Sequence, residues 1–194
     1  MPSVIAKPAT YADLEAVPPH LVAEILFGRL VTHPRPTPRH GGAASVLTMV
    51  LGGPFHLGKG GPGGWFFVVE PELHLGPNVA VPDIAGWRRE RLGGPVDKAY
   101  FEVAPDWVCE VLSPRTEKYD KGDKRQIYAD FSVEHLWYVD PRVRMLEVFA
   151  RRERNWLLTG VFFENDAVGA APFEAASFDL GLLWPFDAPD APAS

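Results

Sequence analysis

The chain has a single cysteine, Cys109, in 194 residues. That excludes a disulfide framework and any Cys-rich zinc module. Histidine is sparse too. It stands at positions 20, 33, 40, 56, 74 and 135, with no HExxH or HxH spacing, so a histidine-based zinc site has no signature here. There is no G-x-S-x-G, the elbow of a serine hydrolase. No apolar run approaches the ~18 residues of a transmembrane helix. The opening Met-Pro-Ser-Val-Ile-Ala-Lys-Pro has no basic region followed by an apolar one. The expected compartment is therefore the cytoplasm, with no membrane partner. Basic residues are outnumbered, 19 Lys+Arg against 25 Asp+Glu, for a formal net charge of −6. This balance excludes a basic coat that binds nucleic acid without regard to sequence, but it leaves room for one local patch.

What remains is a globular composition, 46% apolar and 12% aromatic. The length suits one domain over residues 1–194 whose core needs no staples, with 1–9 and 186–194 as flexible ends. Gly and Pro punctuate the chain. Thr10 caps a short helix over 11–16, and a hairpin over 21–31 breaks at Gly28. Apolar spacing predicts a helix over 39–51. Residues 52–64 carry seven glycines and two prolines and read as a loop. Strands follow at 65–75 and 79–87, forming a hairpin, and at 107–112. A helix is expected over 117–131, then strands at 135–140, 145–149 and 156–163. The order predicts an α/β fold, a mixed sheet flanked by helices.

Gly53–Gly60 imitates the first positions of a phosphate-binding loop, but Gly60 stands where Ser or Thr is needed and no helix follows, so it reads as plain loop. Cys109 faces away from Glu110 by parity and reads as a small core residue. The informative residues are acids inside apolar strands: Asp83 in Val-Ala-Val-Pro-Asp-Ile-Ala, and Glu110 in Trp-Val-Cys-Glu-Val-Leu. A buried carboxylate without a partner costs several kcal/mol, so each needs a cation, a substrate group or structural donors. The acids alone do not choose between a metal site and structural roles. Pro82 removes a backbone donor just before Asp83 and predicts either an edge strand or a distortion there. Lys124 shares a helix face with Ile127, Tyr128 and Phe131, at spacings of three, four and seven. A lysine on a core-facing stripe calls for a carboxylate. Two acids and a lysine suit phosphodiester hydrolysis, with Asp83 and Glu110 holding Mg²⁺ (or Mn²⁺) and Lys124 offsetting charge. Glu70, Glu72 and His74 share a face by period-two parity, and of these Glu72 is the favoured addition to the cluster.

These residues resemble the Uma2 family, restriction-endonuclease-like proteins of the PD-(D/E)XK nuclease superfamily, over roughly residues 10–160. The resemblance is carried by the stretch around Glu24 and Gly28, by Pro38-Arg-His40, and by Glu70-Pro-Glu72. It continues through Val81-Pro-Asp83-Ile, Glu110-Val-Leu-Ser-Pro114 with Thr116 and Asp120, Lys124 before Tyr128, and Trp137-Tyr-Val-Asp140. It implies a restriction-endonuclease-like core, with Asp83 as the acid of the first half-motif and Glu110 as that of the second. Leu112 stands where the superfamily lysine belongs, and Lys124 from the following helix fits a relocated lysine. Glu24, His40 or Glu72 would complete the site.

The expected function is a Mg²⁺-dependent endonuclease acting on DNA. The competing expectation is an inactive nuclease-fold protein that binds nucleic acid or a protein partner. An acid pair acting on a glycosidic bond is a third, without a sugar-stacking cleft to support it. Arg35, Arg39 and Lys121 are the expected phosphate contacts. Arg142, Arg144, Arg151, Arg152 and Arg154 are expected to face solvent. A homodimer is expected because cutting two strands takes two sites.

Overall fold

The computed structural model describes residues 7–94 and 97–186. The outer parts of the expected flexible ends, 1–6 and 187–194, lie outside the described residues. Thr10 caps α1 (Tyr11–Glu15) through a reciprocal pairing with Asp13, as its position predicts. The hairpin follows as β1 (Leu21–Leu26) and β2 (Arg29–Pro34), and Phe27 and Gly28 both take positive φ at its turn. Thr37 caps α2 (Pro38–Leu51), with Pro38 at the first helical position, where its missing N–H costs nothing.

Three expectations need correction here. The expected loop from residue 52 begins as a continuation of α2, a π-helical turn over Gly52–His56. The expected single strand over 65–75 is two strands in different sheets, β3 (Trp65–Val69) and β4 (Leu73–Leu75). Glu70 has φ +47 and Pro71 follows it, so the chain turns there and the period-two parity linking Glu70 to Glu72 is lost. The returning strand splits likewise into β5 (Asn78–Ala80) and β6 (Ile84–Arg88), with Pro82 at the break.

The short α3 (Arg89–Leu92) leads toward β7 (Trp107–Val111). The next helix is not regular over 117–131. It runs as α4 (Glu117–Tyr119), a π-helical turn over Asp120–Lys124, and α5 (Arg125–Asp130). Then come β8 (His135–Asp140), β9 (Met145–Arg152) and β10 (Asn155–Phe163), followed by a small pair, β11 (Ala167–Val168) and β12 (Phe178–Asp179).

The main sheet has six strands in the order β10-β9-β8-β7-β6-β3. Only β7 and β8 are parallel, so the sheet is mixed as expected, and the helical segment between them is the crossover. A smaller sheet, β2-β1-β5-β4, packs with α5 over one face, through Leu26, Leu73, Leu75, Ile127, Tyr128 and Leu136. On the other face α2 and the chain after β10 bury Leu47, Trp107, Trp137, Phe173, Leu183 and Trp184. Residues 164–184, which showed no pattern in the sequence, thus close one side of the core. Cys109 is buried on that side and Glu110 points to the opposite one, as parity requires.

Candidate active site

A cleft of ≈ 290 Å³ lies where the small sheet, the start of α2 and the segment leaving β7 converge. Asp83, Glu110 and Lys124 all line it. The pairing Ile84↔Cys109 between β6 and β7, carried one residue further, sets Asp83 opposite Glu110. Asp83 stands just beyond the regular ladder, in the distortion after Pro82. Its Oδ2 accepts the Val111 N–H at 2.7 Å and lies 3.3 Å from His40 Nε2. Glu110 is 1% exposed. Its Oε1 accepts the Tyr128 hydroxyl at 2.6 Å and Lys124 Nζ at 2.8 Å.

Lys124 is 3% exposed, on the face of the helix that the spacing predicted. Its ammonium also lies 3.3 Å from Asp120 Oδ1 and 3.4 Å from Glu24 Oε1, and donates to the Val81 carbonyl at 3.1 Å. Burial alone would lower its pKa, but Glu110 and Glu24 outweigh this and hold the lysine well above its ordinary range. Burial pushes the Glu110 and Asp120 carboxyls up, against the pull of Lys124. Glu24 also pays for burial, yet Lys124, His33 and the Val81 N–H bring it below its usual value. Glu24, Glu110 and Asp120 therefore crowd one buried lysine, with Asp83 on the neighbouring strand position, an excess of negative charge that favours cations and protons.

The two cleft histidines hold the next positions outward. His33 Nε2 lies 3.4 Å from Glu24 Oε2, and His40 reaches Asp83. Desolvation would lower both, but the carboxylates raise them above the usual histidine value. A raised folded-state value stabilises the fold at low pH, and that contribution is lost as pH rises from about 6.5 through the folded value. His33→Gln is expected to remove this part of the pH dependence. Urea midpoints of variant and wild type should differ most near pH 5.5 and converge near pH 8. Parallel profiles would show that His33 contributes no such linkage.

The other expected site residues fall in several places. Arg35 and Arg39 line the cleft, Arg35 beside Glu70 at 3.3 Å and Arg39 donating to the Pro141 carbonyl. Lys121 does not line it and reaches Glu117 and Glu147 instead. Glu72 lies outside the cleft, where its Oε1 accepts the Tyr11 hydroxyl at 2.8 Å and meets His74 Nε2 at 2.6 Å. Glu70 lines the cleft in its stead, because the turn at Glu70 reverses the parity argument. Arg142 is exposed, as expected. It forms a fork on Asp140, 2.8 and 2.6 Å, bonds Glu117 at 2.8 Å and sits on the cleft rim. Sequence reasoning gave no site role to Asp120, although its i,i+4 spacing to Lys124 was the available signal. It also passed over Arg115, which is exposed on the rim.

A family model described as "Uma2: Putative restriction endonuclease" matches residues 8–181. The chain belongs to the Uma2 family. A crystal structure of a putative nuclease of DUF820 from Anabaena variabilis ATCC 29413 shares the fold, with TM-score 0.71 and 21% identity. The match covers 92% of this chain and 98% of that one. No curated protein matches the chain. In this Uma2 chain Leu112 is buried in the core with Ile127 and Tyr128 of α5. The ammonium beside Glu110 is that of Lys124.

Proposed function

We propose that this Uma2 protein is a metal-dependent endonuclease that hydrolyses phosphodiester bonds in DNA. Asp83 and Glu110 would hold the cation, and Lys124 would be the relocated lysine. The observation that carries the reading is the convergence of Asp83, Glu110 and Lys124 at one cleft, with the ammonium 2.8 Å from Glu110.

The donor set suits a hard cation. Among the described residues no group of three or more His, Cys, Asp or Glu side chains is placed to hold a metal ion. Mg²⁺ does not need one, because it is commonly held by one or two carboxylates together with water and substrate phosphate. The excess of acids over the single lysine favours a bound divalent charge in the same place. Such an ion supplies Lewis-acid stabilisation of a phosphoryl oxygen and a more acidic water.

The chain's own residues do the rest. The Val111 N–H and His40 orient Asp83. Tyr128 and Lys124 hold Glu110 through Oε1. Lys124 adds positive charge beneath the reacting phosphate without leaving its acids. The arginines of the rim, on an acidic body, offer the local patch that phosphates need. The wild-type protein is expected to nick supercoiled plasmid in Mg²⁺ or Mn²⁺ and not in EDTA. No cleavage of plasmid or single-stranded DNA, together with no Mn²⁺ binding by calorimetry, would favour the binding-protein reading.

Among the arginines of the rim, Arg115 makes no hydrogen bond or ion pair to a described residue, so its guanidinium is free for a phosphate. Its backbone is held by the turn in which Thr116 N–H bonds Ser113 Oγ and Glu117 N–H bonds the Ser113 carbonyl. Arg115→Ala should weaken DNA binding in EDTA across all sequences and reduce the salt slope by about one. An unchanged slope would remove Arg115 from the interface.

A further inference from the structure

Strand β10 is nine residues long and forms the edge of the main sheet. Among the described residues no strand pairs with its outer side. Natural edge strands are guarded by charge, proline or shortness. This one, Asn-Trp-Leu-Leu-Thr-Gly-Val-Phe-Phe, has neither a charged residue nor a proline. None of its residues is buried, and Leu157, Leu158, Val161 and Phe163 are all well exposed, Leu158 at 47% and Phe163 at 50%. A bulge between Leu158 and Gly160 turns the two halves relative to each other. It is the one guarding device present, and it leaves the edge of both halves unpaired.

Charge is arranged around the strand rather than on it. Arg152, Glu153 and Arg154 stand at its start, a net basic end, and Glu164 and Asp166 follow its other end. Arg154 and Glu164 have exposed ion pairs within the chain, to Asp130 and Arg144. These sit on the surface and hold their partners weakly. A strand with one basic and one acidic end is complementary to a second copy of itself running antiparallel. A two-fold axis through the middle of the strand lays each basic end along the partner's acidic end, and does so twice.

We propose that β10 is the homodimer interface, pairing antiparallel with β10 of a second copy to extend the six-stranded sheet across the two-fold. Backbone hydrogen bonds, the exposed apolar side chains and two sets of Arg154-to-Glu164 attraction hold it. No residue of β10 lines the cleft, so both clefts stay open in the dimer.

Light scattering on the eluted wild-type protein is expected to give about twice the 21.4 kDa chain mass. Arg154→Glu and Glu164→Arg each place like charges together at both ends, and each should raise the dimer dissociation constant at least about tenfold. Mixing the two variants should restore the dimer, because every cross-strand pair in the mixed species is then attractive. Leu158→Lys should give monomer that stays folded by circular dichroism. The proposal is overturned by a wild-type mass of one chain up to the solubility limit. It is equally overturned by single variants that dimerise like wild type, or that fail to rescue each other on mixing. These readings need no nuclease activity, so they stand or fall apart from the function proposed above.

Discussion

Asp83→Ala is expected to abolish metal-dependent nicking, by at least about 10³-fold, while leaving the fold intact. The magnitude follows from the role. Losing an electrostatic contribution of about 4 kcal/mol in the transition state corresponds to that factor. Asp83 lies beyond the last β6–β7 pair, and its side chain accepts one backbone N–H, from Val111, beside His40. Its removal leaves that N–H to find water in the cleft, which costs about 1–3 kcal/mol at most. Activity and stability should therefore separate. Cleavage and Mn²⁺ binding by calorimetry should fall together, with a thermal midpoint only slightly lower. Retained Mn²⁺ binding in Asp83→Ala would remove this acid from the metal site. Asp83→Asn should behave like the alanine variant in activity, since the amide keeps the shape but not the charge.

Lys124→Met carries the second large effect, and here stability and activity fall together. Methionine fills the volume but leaves Glu110, Asp120 and Glu24 without their shared cation. Removing one partner of a buried ion pair costs about 3–5 kcal/mol, because the remaining charge stays desolvated. The cost should depend on pH in a defined sense. In the wild type the depressed Glu24 contributes stability that is present above the usual carboxylate pKa and is lost as pH falls through its folded value. In the variant the acids, already pushed up by burial at Glu110 and Asp120, can only relieve their repulsion by taking protons. The stability gap between wild type and Lys124→Met should therefore narrow as pH falls toward 5 and widen toward pH 8. Urea unfolding at several pH values measures it. A gap that does not change with pH would mean that the ammonium does not hold these acids. Adding Glu110→Gln to Lys124→Met should recover part of the stability and none of the activity, which separates the structural from the chemical role. Lys124→Arg is not a conservative control, since a planar fork does not fit a point surrounded by three carboxylates and a carbonyl.

Much of this site was legible because its signals are local. An acid within an apolar strand is anomalous wherever the strand lies, so Asp83 and Glu110 stood out without a fold. Lys124 stood out by helical spacing alone, since the face it shares with Ile127 and Tyr128 had to be the buried one. The π-helical turn at Asp120–Lys124 leaves that spacing intact on its C-terminal side. Where a reading depended on regularity persisting, it failed at the irregularity. Parity placed Glu72 with the acids, but the positive φ at Glu70 and the proline after it move β4 into a different sheet and bring Glu70 to the cleft. Arg142 reads as one surface arginine among five, and it is exposed. Its fork onto Asp140 and Glu117 joins β8 to the helix after β7, and no local pattern encodes that contact.

The sequence by itself determined the family, the order of the main helices and strands without their breaks, the two strand acids and the buried lysine. Each follows from periodicity, capping or the cost of burying charge, which act over a few residues. Only the tertiary structure decided which groups share the lysine, that the rim is built of arginines from separate elements, and that residues 164–184 seal the core. It also showed that β10 is left as a sheet edge without charge or proline. Those outcomes depend on which strands become neighbours. Strand pairing is set by long-range register and by the two breaks near Glu70 and Pro82, and no window of the sequence contains both partners.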